Sequence, residues 1–155
     1  MQEKFPQQIP IFPLSGVIYF PKTNLPLNIF EKRYLQLVND CMKTNKLMGM
    51  VQSKRNSNDV YKIGCLGEIS YFKKTKDQRI IIKLTGITRF EIVKEINSDK
   101  LYREFKVEYN KFYQDAENTK LQIPKEETLK KLFEKIKPFF RKNGLLLDWK
   151  EFEQL

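Results

Sequence analysis

The spacing of apolar residues divides the chain into an extended start, one helix, a strand-rich middle and a helical tail. Short apolar stretches at 9–12, 17–20 and 25–29 are separated by prolines. Proline excludes helix interiors and is tolerated at the edges and ends of strands. We therefore predict three short strands before residue 30.

The pattern changes period after residue 30. Phe30, Tyr34, Leu37, Val38 and Cys41 recur at the spacing of one helical face, which predicts a helix over 31–45. An apolar strand at 47–52 and a polar loop at 53–59 follow.

Residues 60–108 have the β-branched and alternating pattern of strands, interrupted by turns near 74–78 and 97–99. Gly64 and Gly67 interrupt one of these strands and predict a bulge or sharp bend, which a closing sheet needs. We predict an α+β fold, a β pseudobarrel with one inserted helix.

The tail is predicted to be helical from Pro124 onward. Pro138 should kink this helix, and Gly144 should end it. A further helix opens at Asp148, but the sequence continues for only about two turns. We expect a truncated helical segment. The predicted division is a barrel subdomain over 1–112 and a helical segment over 113–155. The apolar face of the tail helix is formed by Leu129, Leu132, Phe133, Ile136 and Phe140.

The composition argues against most catalytic chemistry. The chain has no histidine and two cysteines, Cys41 and Cys65, which excludes Ser-His and Cys-His pairs and histidine-ligated zinc sites. No phosphate-binding glycine loop is present, and no motif indicates a Ser-Lys hydrolase. We predict a protein that is not an enzyme and uses no cofactor or metal, with both cysteines reduced and buried.

The charge leaves one alternative open. Lys and Arg number 29 against 19 Asp and Glu, a formal net charge of +10. Because the lysines are scattered, a solvated surface is the simpler interpretation, and nucleic-acid binding is the alternative. No apolar run is long enough to span a membrane, and no secretory signal is visible, so we expect a cytoplasmic protein.

An ordered set of motifs resembles one known family. The motifs are residues 11–14 (IFPL), 19–21 (YFP), 25–34 (LPLNIFEKRY), 67–69 (GEI) and 86–90 (GITRF), with Gly49 and residues 63–64 between them. Together they resemble the Lon protease amino-terminal, substrate-binding domain family. Asn28 and Lys32 stand where that family usually has His and Pro. The motif residues expected to be structural are Pro13, Pro21, Pro26, Phe30, Glu31, Arg33, Tyr34, Gly64, Gly86, Arg89 and Phe90.

The resemblance implies a PUA-like pseudobarrel that captures unfolded or tagged proteins, without the ATPase and protease parts. It therefore implies a non-catalytic binding domain whose partners are unfolded or misfolded protein segments and a separate ATP-dependent protease. The candidate peptide-binding residues are the aromatic Tyr19, Phe20, Tyr71 and Phe72. From their local sequence, we expect Arg33 to pair with a carboxylate of the sheet and Gly86 to act as a hinge.

Overall fold

A computed structural model of the protein describes residues 5–116 and 126–142. The chain divides into two compact units, Met1–Asn118 and Thr119–Leu155. The elements of the first are β1 (Gln8–Leu14), β2 (Asn24–Ile29), α1 (Lys32–Lys43), β3 (Leu47–Ser53), β4 (Val60–Lys74), β5 (Ile80–Ile96), β6 (Arg103–Glu108) and a 3₁₀ segment (Asn110–Ala116). The second contains α2 (Glu126–Lys142). The predicted α+β fold is confirmed.

The sheet closes on itself. Its strands lie in the order β2-β5-β4-β3-β1-β6, and an additional pairing of β5 with β6 closes the ring. The long strand β5 makes this closure, because its first half pairs with β2 and its second half with β6. β1 pairs in parallel with β3 and antiparallel with β6. The remaining pairs are antiparallel.

Bulges bend the β4–β5 hairpin where the sequence predicted a bend. The register shifts between Leu66 and Gly67, and again between Ile69 and Tyr71. A Cβ atom on Gly64 would lie 2.5 Å from the Phe90 ring, so this position has room only for glycine. Gly86, which was expected to act as a hinge, lies within β5, and the strand continues through it.

Helix α1 covers one half of the barrel. Tyr34, Leu37, Val38 and Cys41 form its buried face, as the spacing predicted. Phe30, placed on the same face by that spacing, precedes the helix and is 65% exposed, so this part of the prediction is wrong. Leu37 and Val38 are fully buried, and each such side chain contributes about 1.5–3 kcal/mol relative to an exposed one. A second apolar cluster fills the other half around Phe90, which is fully buried.

Strand β2 forms an outer edge of the sheet. Gly86 N donates to Thr23 O at 2.8 Å, and Asn24 follows opposite Thr85. Backbone groups in an antiparallel ladder alternate in direction. Thr23 directs its backbone groups toward β5, so Pro26, an odd number of residues further along, directs its nitrogen away from β5. At this outer edge the missing N–H costs no ladder bond.

Residues 17–20 correct one prediction. This segment is not a strand, although its apolar sequence predicted one. A strand needs a neighbouring strand to receive its backbone bonds, and no pairing of this segment is found within the described residues.

Helix α2 runs from Glu126 to Lys142 and continues through Pro138. Leu132, placed on its apolar face by the sequence, is 49% exposed, and Ile136 is half-buried. Pro124, Gly144, the 148–155 helix, and the side chains of Leu129, Phe133 and Phe140 lie outside the described residues. Within the described residues, neither helix is long and apolar enough to cross a membrane.

Candidate functional site

Two adjoining concavities lie at the open end of β1, and Leu14 lines both. The larger, which we name the polar cleft, has a volume of about 760 Å³. The smaller, which we name the apolar groove, has a volume of about 180 Å³ and lies between residues 17–20 and strands β3 and β4. Together they bring predicted motif residues from β1, α1, β4 and β5 to one region.

The 17–20 segment is held against β5 at one position. Lys22 N donates to Gly86 O at 2.9 Å, and Gly86 N donates to Thr23 O at 2.8 Å. A Cβ atom at residue 86 would collide with the Phe20 carbonyl, so the chains approach this closely only because residue 86 is glycine. Gly86 thus fixes where the segment leaves the barrel.

The side chains of this segment alternate between the protein and solvent. Ile18 is 73% exposed and Phe20 is 56% exposed, while Val17 and Tyr19 are half-buried. Within the described residues, the backbone groups of Val17, Ile18 and Tyr19 make no hydrogen bond. The segment therefore presents apolar side chains and unused backbone donors and acceptors together.

Tyr19 anchors the segment. Its ring packs against the larger core cluster, and a Cβ atom on Gly67 would lie 2.7 Å from its hydroxyl oxygen. That hydroxyl is buried and has no hydrogen-bond partner among the described residues. Burial raises the Tyr19 pKa well above its usual range, with a smaller contribution from Cys65, so the hydroxyl stays neutral.

An arginine network forms one wall of the polar cleft. Arg103 Nε donates to Glu95 at 2.8 Å, and its Nη2 donates to the other oxygen of that carboxylate at 2.9 Å. Its Nη1 donates to Asn58 O at 2.7 Å, which ties the β5–β6 hairpin to the β3–β4 loop. The hydrogen bonds with Arg103 lower the Glu95 pKa. This network occupies all three nitrogens of Arg103 and makes the wall rigid.

Arg33 belongs to the opposite wall, and its pairing differs from the prediction. Its Nε donates to Glu31 at 3.0 Å, and not to a carboxylate of the sheet. Glu31 lies between the end of β2 at Ile29 and the start of α1 at Lys32, so it is not a residue of the sheet. The guanidinium lies 4.6 Å from the centroid of the Tyr34 ring, and that ring packs on Phe12 at 4.1 Å between centroids. Within the described residues, the two terminal nitrogens of Arg33 have no hydrogen-bond partner.

A second ion pair attaches the 3₁₀ segment to β5 beside the apolar groove. Arg89 makes two side-chain bonds to Asp115, at 2.9 and 3.0 Å, and its backbone N–H donates a third at 3.0 Å. The Arg89 guanidinium also lies 4.6 Å from the centroid of Phe112. The hydrogen bonds from Arg89, above all those from its side chain, lower the Asp115 pKa. The sequence did not predict the pairing of Asp115 with Arg89, because the two residues are 26 positions apart and no local pattern links them.

The four aromatic candidates occupy three different places. Tyr19 and Phe20 line the apolar groove. Tyr71 is 49% exposed on the outer face of the β2–β5–β4 sheet. Phe72 packs against the core cluster beneath α1. Sequence reasoning missed Ile18, although its alternation with Val17 and Tyr19 was visible.

The outer sheet face around Tyr71 is basic. Lys83 lies between Pro26 and Tyr71 in the register, and Ile81 lies between Asn28 and Lys73. Within the described part of the chain, neither lysine is paired with a carboxylate. This face combines one exposed aromatic ring with two cations.

Metal-ligating and nucleophilic side chains decide what the region could do besides binding. In residues 5–116 and 126–142, no cluster of three or more His, Cys, Asp or Glu could hold a metal ion. Burial raises the pKa of the Cys41 and Cys65 thiols to about 12, so neither is a ready nucleophile. What the region offers is exposed apolar surface, open backbone and one arginine with free donors.

Comparison with known proteins gives the class of this fold. The family model of the ATP-dependent protease La (LON) substrate-binding domain matches residues 8–155. The chain belongs to this family. The resemblance inferred from the ordered motifs is therefore confirmed.

Individual Lon proteases show the same likeness. The chain is 33% identical over 104 residues to the Lon protease of Desulfosudis oleivorans, and the aligned region covers 63% of this chain and 13% of that protein. It is 27% identical over 114 residues to the Lon protease of Syntrophus aciditrophicus, which covers 68% of this chain and 14% of that protein. The chain thus spans less than a sixth of the length of each of these proteases.

Solved structures agree on the fold. A Lon N-terminal domain protein from Xanthomonas campestris matches with a TM-score of 0.57 and 27% identity, over 66% of this chain and 59% of that one. The N-terminal domain of a Mycobacterium avium complex Lon protease matches with a TM-score of 0.53 and 11% identity, over 66% of this chain and 54% of that one. The second likeness supports the fold alone.

Proposed function

We propose that the protein is a non-catalytic recognition domain that binds extended, apolar segments of unfolded or misfolded polypeptides. The binding surface is the 17–20 segment with the apolar groove beside it. Ile18 and Phe20 supply apolar contact, and the open backbone supplies hydrogen bonds in the manner of strand addition.

One observation carries this proposal. The 17–20 segment exposes the large apolar side chains of Ile18 and Phe20, and within the described residues the backbone groups of residues 17–19 are unpaired, although the segment is fixed at Gly86 and anchored by Tyr19. Exposed apolar side chains beside backbone groups that have no protein partner are typical of a surface that a binding partner covers. Membership of a substrate-binding family supports a polypeptide as that partner.

The test measures binding of a fluorescent, permanently unfolded protein by anisotropy. Wild type should bind at micromolar concentration, and an Ile18→Ser/Phe20→Ser variant should bind at least about tenfold more weakly, since each large apolar contact contributes about 1–3 kcal/mol. The matched control is Leu101→Ser, because Leu101 is 61% exposed but lies outside both concavities.

Circular dichroism should show that all three proteins keep the same fold, since the replaced side chains are exposed. Absence of wild-type binding at tens of micromolar would contradict the proposal. Equal binding by the double variant would contradict the assigned surface.

The protein's setting forms part of the proposal. We infer a cytoplasmic protein that delivers polypeptides to a separate ATP-dependent protease. Pull-down of such a protease by the tagged protein, dependent on a bound unfolded client, would support that association.

Nucleic-acid binding is the second candidate, and the basic face around Tyr71 favours it. Lysines beside an exposed aromatic ring suit the backbone and bases of a single strand. This candidate predicts binding of oligonucleotides that weakens steeply with salt and is lost in Lys73→Gln/Lys83→Gln. Unfolded-protein binding should be unaffected by that change.

A further inference from the structure

We propose that the polar cleft binds the free C-terminal carboxylate of an extended polypeptide, with Arg33 as its ligand and the open edge of β1 as its backbone partner. This inference rests on the proposed function and specifies its substrate. It follows from three features of the cleft: an unpaired strand edge, a barrier at one end of that edge, and an arginine with free donors.

The edge of β1 is open over its last residues. β6 pairs with β1 only from Gln8 to Ile11, and Arg103 lies opposite Ile11. The chain before β6 turns away toward α1: Leu101 N donates to Gln36 at 2.8 Å, and the Tyr102 hydroxyl donates to Asp40 at 2.8 Å. Among the residues that the structure describes, the edge beyond Ile11 is therefore left without a strand, and its residues line the cleft.

This edge offers the backbone groups that an antiparallel strand requires. Val107 N donates to Gln7 O at 2.7 Å, so odd-numbered residues of β1 direct their backbone groups toward β6. The Pro13 carbonyl and the Ser15 N–H then point to the open side. In an antiparallel pairing, the peptide residue opposite Pro13 donates its N–H to that carbonyl, and the residue opposite Ser15 accepts a bond from that N–H, while the residue opposite Leu14 faces away. Pro13 has no N–H for the carbonyl of the residue opposite it, which suits a residue whose carboxylate is bound elsewhere.

The same geometry determines which end of the peptide enters the cleft. A strand antiparallel to β1 on this side runs in the direction of β6 and lies in line with it. It must stop where β6 begins, because Arg103 already occupies the place beside Ile11. The residue that stops there is the last one of the peptide, so its carboxylate comes to lie beside Arg103 and Tyr34.

Arg33 is the group that can receive this carboxylate. Arg33 and Arg103 both lie close enough to Tyr34 to lower its pKa, against the larger upward effect of burial. Arg103 uses all its nitrogens on Glu95 and Asn58. Arg33 uses only Nε, on Glu31, and its stacking on Tyr34 fixes the guanidinium plane. Its terminal nitrogens are available for a carboxylate.

The carboxylates of the cleft make recognition directional. Glu95 and Glu31 are each paired with an arginine, so these four groups carry no net charge. A bound carboxylate is therefore held by directed hydrogen bonds at one place, and not by a general positive field. The apolar groove shares Leu14 with the cleft, so apolar residues just before the C-terminus are placed to reach it.

The experiment compares fluorescent peptides of one apolar sequence that differ only at the C-terminus. The first ends in a free acid and the second in an amide. The third ends in an amide but carries glutamate as its last residue, which tests a side-chain carboxylate as the source. Each is titrated with wild type, Arg33→Gln and the control Lys32→Gln. The control removes a positive charge at the adjacent position, which does not line the cleft.

We expect the free acid to bind wild type at least about tenfold more tightly than either amide, since a charge-assisted hydrogen bond to a carboxylate contributes about that much. Arg33→Gln should remove this preference, and Lys32→Gln should keep it. N-methylation of the peptide nitrogen that faces Pro13 O should weaken binding, whereas methylation of the neighbouring nitrogen should not.

The outcomes separate the two proposals. If no peptide binds, the proposed function fails. If the acid and amide peptides bind equally well, or Arg33→Gln retains the preference, the carboxylate site is refuted while recognition of apolar segments stands. If the glutamate-ended amide binds as well as the free acid, the assignment of a C-terminal carboxylate is wrong.

Discussion

Replacing Gly86 with alanine tests how the 17–20 segment is held. The new Cβ atom collides with the Phe20 carbonyl, a backbone atom that cannot move aside without moving the segment. Displacing the segment breaks two bonds, Lys22 N to Gly86 O at 2.9 Å and Gly86 N to Thr23 O at 2.8 Å.

The magnitude follows from those two bonds. Each backbone hydrogen bond contributes about 0.5–1.5 kcal/mol net, so Gly86→Ala should lower the free energy of unfolding by about 1–3 kcal/mol. Urea denaturation followed by circular dichroism measures this change. Lys83→Ala is the control on the same strand, because Lys83 is exposed and its loss should change stability by less than about 0.5 kcal/mol.

Binding provides the second measurement. If the segment forms the binding surface, Gly86→Ala should weaken binding of the unfolded protein even under conditions where the variant is fully folded. A variant as stable as Lys83→Ala and equal to wild type in binding would refute the reasoning, because the segment would then not depend on its close contact with β5.

Two further predictions concern ionisation. Because the hydrogen bonds from Arg89 lower the Asp115 pKa, the pair stabilises the fold above about pH 4 and loses this contribution as the pH falls through the folded-state pKa. Asp115→Asn should therefore be less stable than wild type at pH 7, and the difference should shrink as the pH falls below about 4; a difference independent of pH would contradict the assignment. Burial raises the pKa of Cys41 and Cys65 to about 12, so iodoacetamide at pH 8 should label native protein at least about 100-fold more slowly than protein in urea, and equal rates would show that the thiols are accessible.

The elements that could be predicted from sequence are those determined by local periodicity. The face formed by Tyr34, Leu37, Val38 and Cys41 is set by helical spacing alone, and the structure buries these four residues. The bend near Gly67 was also predictable, because glycine within a strand pattern marks such sites.

The 17–20 segment shows where local pattern fails. Its residues alternate between inward and outward directions as in a strand, yet no strand of the described chain pairs with it. Whether an extended segment becomes a strand depends on distant residues that reach its edge, and those are not encoded nearby. The same feature that misled the prediction is the one that makes the segment a candidate binding surface.

The site itself was only partly predictable. Tyr71 and Phe72 are adjacent in sequence, but successive strand residues face opposite sides, so one is exposed and the other packs on the core. The bond from Arg103 to Asn58 O depends on how the β5–β6 hairpin lies against the β3–β4 loop, which no local pattern encodes. Arg33 and Glu31 were both named as motif residues, but their pairing with each other was not predicted. The carboxylate of Glu31, two residues away, binds Arg33 in place of a carboxylate from the sheet.

Pro26 has a consequence for how many polypeptides one domain can hold. Because it stands on the outer side of β2 and has no N–H to donate, that border of the sheet cannot readily be extended by a second guest chain. We therefore expect a stoichiometry of one client per domain. Under the proposed function, a domain that binds one unfolded chain is in this way kept from adding a second chain along this border of the sheet.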